Sequence, residues 1–144
     1  MAVKRRKIIM TLVLLAVFIQ LIPINRSNPP ITAELATTQE LKDILVRSCY
    51  DCHSNETVWP WYSRVAPVSW LVAIDVYEGR GHLNFSTWGE YSAEKQAKLR
   101  KEIRKTVSEG EMPPFQYLPA HPQAHLSERD KAVILAWVTA SPRQ

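Results

Sequence analysis

The stretch Cys49-Tyr50-Asp51-Cys52-His53 decides how the rest of this chain is read. Two thiols three positions apart, at the end of a helix, can reach the two vinyl groups of one porphyrin as thioethers. The adjacent imidazole is then presented below the ring to the iron. The pattern points to one covalent haem c per chain, attached through Cys49 and Cys52, with His53 as an iron ligand. Three other chemistries use the same residue types. A thioredoxin-like dithiol wants the pair at the start of a helix after a central strand, whereas here a helical pattern precedes Cys49. A Cys49–Cys52 disulfide would be short and strained. Zinc would take both thiols, His53 and one of His82, His121 or His125, at a spacing unlike a standard finger.

A second axial ligand has to come from elsewhere in the chain. Met112 is the leading candidate, since the remaining methionines, Met1 and Met10, lie at the N-terminus. It follows a helical pattern, and Pro113 and Pro114 restrict the backbone behind it. Thioether ligation raises the reduction potential relative to bis-histidine. Core packing is the plainer role for Met112, and His82 is the alternative ligand. His121 and His125, in LPAHPQAHL, are expected to be exposed loop residues.

Working outward, Thr37 and Glu40 form a capping-box pattern for a helix carrying Leu41, Ile44, Leu45 and Ser48 into Cys49. Pro67 suits the first turn of a second helix with Trp70, Leu71, Ile74 and Tyr77, which Gly79 and Gly81 would end. Ser92 caps a third helix whose Leu99, Ile103 and Val107 form one apolar stripe, stopped by Gly110. Its other face carries Lys95, Lys98, Arg100, Lys101, Arg104 and Lys105, read as a solvated face or a docking patch for an acidic electron partner. Ser127 with Asp130 starts a last helix with Val133, Ile134, Trp137 and Val138. Trp59, Trp61, Trp70 and Trp88 are candidates to wall a haem, and Arg64 and Arg80 to pair with its propionates.

The 144 residues carry a net charge of +4, but that excess belongs to Lys4-Arg5-Arg6-Lys7. Beyond residue 22, basic and acidic residues balance at 14 each. A neutral body offers no broad phosphate-binding field, so nucleic acid is not an expected partner. The basic tip and the apolar run Ile8–Ile22 are expected to form a transmembrane or signal helix over residues 1–24. With no small-residue cleavage site, an uncleaved single-pass anchor is favoured. The haem domain would then face the periplasm from the cytoplasmic membrane; the alternative is a soluble periplasmic form after cleavage. Residues 25–36, rich in Pro and Asn, look like a linker, and 37–144 form the body.

Three segments, CYDCHSNETVWPWYSRVAPVSWLV, VYEGRGHLNFSTW and EGEMPPFQYLPAHPQAHLSERDKAVILAWV, resemble the small haem-binding domain family of bacterial exported proteins, a relative of class I cytochromes c. The resemblance runs from Leu35 to Val138. It implies thioether attachment at Cys49 and Cys52, proximal ligation by His53 and distal ligation by Met112. The whole reading is therefore an all-α, cytochrome c-like domain around one covalent haem. The expected function is that of a monomeric electron-transfer cytochrome rather than an enzyme, with an unidentified redox partner. Its alternatives are a peroxidase-like or gas-binding haem protein with a displaceable distal ligand, and a non-haem CxxC redox module.

Overall fold

The computed structural model describes residues 2–140. Six α-helices follow in chain order: α1 (Ala2–Ile19), α2 (Gln39–Ser48), α3 (Tyr50–His53), α4 (Val68–His82), α5 (Ala93–Ser108) and α6 (Glu128–Thr139). Short 3₁₀ turns at Trp61–Arg64, Phe85–Glu90 and Pro122–Ala124 shape the connections. With no strand among the described residues, the architecture is all-α, consistent with a cytochrome c-like helical domain.

Local chemistry explains most helix ends. Ser92 accepts the Lys95 N–H and starts α5, and Gly110 adopts a positive φ of 71° just past its end, where a side chain would be strained. Ser127 and Asp130 form a reciprocal capping box at the start of α6. For α2 the cap is Thr38, not Thr37: its hydroxyl accepts the Leu41 N–H. Gly79 and Gly81 do not end α4, which runs on to His82.

The core lies between α2, α5 and α6. Leu41, Ile44 and Leu45 of α2 share one buried cluster with Leu99, Ile103 and Val107 of α5 and with Ile134 of α6, the helix that meets both. Phe85 extends it, stacked on Tyr50 at 5.5 Å and on Trp88 at 6.1 Å between ring centroids. Trp88 is thus a core residue, and Trp61 is exposed. Arg100 leaves the basic face of α5: its guanidinium lies 4.7 Å from the Trp137 ring centroid and donates to the Trp137 carbonyl. On α4, Leu71, Ile74 and Tyr77 point outward.

The expected membrane helix over residues 1–24 is overturned. Lys4, Arg5, Arg6 and Lys7 lie inside α1, so only the twelve residues Ile8–Ile19 are left as its apolar part. At 1.5 Å per residue these cover about 18 Å, well short of the ~30 Å hydrocarbon layer. Among the described residues no helix is long and apolar enough to cross a membrane. The transmembrane or signal helix, the anchor, the membrane contact and the single-pass placement of the haem domain go together. The helix ends where Gln20 turns onto the body, its amide exchanging two hydrogen bonds with the Ala66 backbone, at 3.1 and 3.2 Å.

The proline-rich segment after it is bonded to the body at several points. Asn28 donates to the Thr57 carbonyl, and the Pro30 carbonyl accepts from Asn55. The Thr32 and Ala33 N–H groups donate to the Ser86 carbonyl, and Leu35 N–H to that of Phe85. Leu35 is itself in the core.

Candidate functional site

Cys49 closes α2, and after a change of direction Tyr50–His53 form a single turn, α3. This turn is pressed onto α4 at one point. A Cβ added at Gly79 would sit 2.4 Å from the Cys52 carbonyl oxygen, so only glycine permits the approach. The close packing places two α4 carbonyls against the imidazole. His53 Nδ1 lies 3.0 Å from the Gly79 oxygen and 3.1 Å from the Leu83 oxygen.

That contact assigns the tautomer. Nδ1 faces two acceptors and therefore carries the proton, which leaves the lone pair of Nε2 for a metal. Burial pushes the imidazole below its ordinary value against the opposing pull of the two carbonyls, and nearby His82 lowers it further. A neutral ring fixed through Nδ1 is the form an axial ligand needs.

The two thiols are free and partly exposed. Burial pushes Cys49 up to about 12, with Cys52 adding to the effect. Burial likewise pushes Cys52 up to about 11, with Asp51 and Asp75 adding. This is the opposite of the activated thiolate of a dithiol redox centre. Among the described residues no group of three or more His, Cys, Asp or Glu side chains could hold a metal ion. A zinc site, which needs its ligands gathered on one point, is not formed by these side chains among the described residues. Two free thiols beside a neutral imidazole held through Nδ1 fit a haem.

Met112 lies four residues beyond α5. Its N–H donates to the Thr106 carbonyl, its peptide bond to Pro113 is cis, and its side chain is 39% exposed. Pro113 behind it is buried. The loop that follows returns to the haem segment: the Tyr117 hydroxyl donates to Asp51 Oδ2 at 2.6 Å. The Tyr117 ring stacks on His121 at 3.9 Å and 8°, and His121 Nε2 meets the Tyr62 hydroxyl at 2.6 Å. Burial first, and then the bond to Asp51, raise the Tyr117 phenol, so it stays a donor.

His121 is therefore buried, not an exposed loop residue, while His125 is exposed. His82 is exposed and bonded to Glu102 at 2.9 Å. Arg80 donates to the Ser54 and Ser27 carbonyls, to Asn28 Oδ1 and to Thr57 Oγ1, at 2.7 to 3.0 Å. Its donors are committed to the protein rather than held out for a propionate. Trp59 Nε1 also donates to Asn28 Oδ1, whereas Trp70 Nε1 is buried without a partner. Asp51 and Tyr117 were missed in sequence. Their only signal was a carboxylate inside the motif and a tyrosine in the methionine loop, 66 positions apart.

Over residues 14–140 the chain matches the family model described as a haem-binding domain. No curated protein and no solved structure matches it.

Proposed function

The chain belongs to the haem-binding domain family, and from that premise we propose that it is an electron carrier, with His53 and Met112 as the axial ligands of one haem c. The Cys49-x-x-Cys52-His53 spacing is that of a covalently bound haem c. Haem held there supplies one-electron ferric/ferrous chemistry. The observation that carries the reading is the His53 ring, locked through Nδ1 by two backbone carbonyls with Nε2 left for iron. Such a ligand moves little between oxidation states, because the helix end that holds it is itself packed on the haem segment. Met112 supports the distal assignment as the one methionine beyond Met10, on a loop bonded back to Asp51. With His53 and Met112 both holding the iron, the bound haem would supply electron exchange and leave no position for a substrate.

One observation favours a second reading, a haem enzyme or sensor with a displaceable distal ligand. Met112 is 39% exposed, so little packing opposes its departure. His82, the acid–base group such an enzyme would want, is instead exposed and engaged by Glu102.

Optical spectra of the haem-loaded protein, with and without carbon monoxide, separate the two. The carrier shows a near-infrared methionine-to-iron band in the ferric state and excludes carbon monoxide in the ferrous state. Met112→Ala keeps its covalent haem, loses the band, binds carbon monoxide and has a lower potential. Ready carbon monoxide binding by the wild type, with no such band, would favour the enzyme or sensor.

A further inference from the structure

We propose that Asp51 and Tyr117 form a clasp that holds the Met112 loop against the haem segment, making Tyr117 a positioning residue for the distal ligand. The proposal rests on the assignment of Met112 as that ligand.

Beyond the Thr106 carbonyl and the buried Pro113, which hold its start, the first half of the loop between α5 and α6 is tied to the haem segment through Tyr117. Its internal backbone bonds are local turns, Tyr117 N–H to the Pro114 carbonyl and His121 N–H to the Leu118 carbonyl. Phe115, its largest apolar side chain, is 83% exposed and anchors nothing. The Tyr117 hydroxyl, by contrast, reaches a carboxylate at 2.6 Å, a short bond to a charged acceptor and stronger than a neutral one.

The other end of the clasp is equally well placed. Asp51 precedes Cys52 directly, so the loop is tied to the turn that carries the thiols and His53. The carboxylate is held in its turn, because Oδ1 accepts the Val58 N–H at 2.9 Å while Oδ2 takes the phenol. The Tyr117 ring is fixed by the stack on His121, whose Nε2 is held at the ring edge by the Tyr62 hydroxyl. Tyr117 lies five positions beyond Met112, a span of at most about 18 Å when extended. Releasing Tyr117 would leave the stretch between Pro113 and His121 without its bond to the haem segment. Loss of the clasp therefore acts through Met112, raising the fraction of molecules whose thioether has left iron.

The test uses the haem-loaded full chain and the variant Tyr117→Phe, which keeps the ring and its stack and removes one oxygen. Covalent haem content should be unchanged. Amide hydrogen exchange over residues 113–121 should quicken about tenfold or more, the scale set by losing one charge-assisted bond. The near-infrared band should weaken, and carbon monoxide binding to the ferrous protein should accelerate by a similar factor. Asp51→Asn, which retains an acceptor oxygen, should fall between Tyr117→Phe and the wild type. Unchanged exchange over 113–121 in Tyr117→Phe, with the methionine band intact, would overturn the clasp and leave the ligand assignment standing. A wild type that has no methionine band, alongside a Tyr117→Phe loop that exchanges faster, would sink the ligand assignment and keep the clasp as a loop restraint.

Discussion

Gly79 approaches Cys52 so closely that a methyl group on it would stand 2.4 Å from the Cys52 carbonyl oxygen and 3.1 Å from the Cys52 Cβ. Both neighbours are fixed, one being backbone and the other the first atom of a haem-bonding side chain. The same glycine offers its own carbonyl to His53 Nδ1. One residue thus sets both the distance between α3 and α4 and the orientation of the imidazole. Gly79→Ala should destabilise the fold by about 1–3 kcal/mol, the usual cost of overpacking, and lower haem incorporation. Gly81, two residues on, has nothing within 4 Å of the same added atom. Gly81→Ala should be neutral or stabilising by about 0.5–1 kcal/mol. Denaturant midpoints of the two variants check the contrast, and equal midpoints would refute it.

Covalent attachment predicts that haem stays on the wild-type polypeptide through extraction into acidic organic solvent. Cys49→Ser and Cys52→Ser should each retain haem through the remaining thioether, with a shifted absorption maximum in the reduced state. The double variant should release all of its haem. Free extraction from the wild type would exclude thioether attachment.

Arg80 joins three pieces of backbone, carrying residues 27 and 28 onto the Ser54–Thr57 loop just beyond His53. Arg80→Ala should cost about 2–4 kcal/mol, since several hydrogen bonds go at once and the buried Ser54 carbonyl loses a partner. The axial-ligand spectrum of the folded fraction should not change. A large shift in potential without loss of stability would instead assign Arg80 to a propionate.

Asp130 predicts a pH dependence. Burial alone would push its carboxyl up, but hydrogen bonds from Ser127 and the Arg47 guanidinium at 2.6 Å bring it below the ordinary carboxylate value. A depressed folded value means that the stabilisation is fully present above the unfolded value, near 3.9. It is lost as pH falls through the lower folded value. Asp130→Asn should therefore flatten the acid limb of the stability curve below about pH 4 and leave the limb above neutrality unchanged. Urea unfolding from pH 2 to 8 measures it; superimposable acid limbs would remove Asp130 from the account. Ser127→Ala, which deletes the other half of the capping box, should cost about 1 kcal/mol near neutral pH and less in acid, where Asp130 is protonated and its bond to the hydroxyl is weakened.

Some features were legible because their chemistry is local. The stripe Leu99, Ile103, Val107 repeats at the helical period, and all three are buried. Ser92 and Ser127 cap the helices that they precede, since the bonds involved reach only three residues along the chain. Gly110 supplies a positive φ where α5 stops. Other expectations failed where periodicity could not say which way a face points. Leu71, Ile74 and Tyr77 lie on one helix and face outward, while Gly79 and Arg80 of that helix meet the haem segment. At the N-terminus the apolar run Ile8–Ile22 shares its helix with four cations and is cut short by the turn at Gln20.

By itself the sequence determined the attachment chemistry. Cys49, Cys52 and His53 are neighbours in the chain, and their spacing is fixed by covalent geometry before any folding. It determined the all-α character too, through helical periods and caps that each act within one turn. Only the tertiary structure set the tautomer of His53, with Nε2 left free for a metal, because the two carbonyls that hold Nδ1 lie 26 and 30 residues away. It also decided that the methionine loop returns to Asp51, and that His121 is buried between Tyr62 and Tyr117. Such pairings join residues far apart in the chain, and they form where packed helices leave two groups within reach. A local pattern carries no record of that closure.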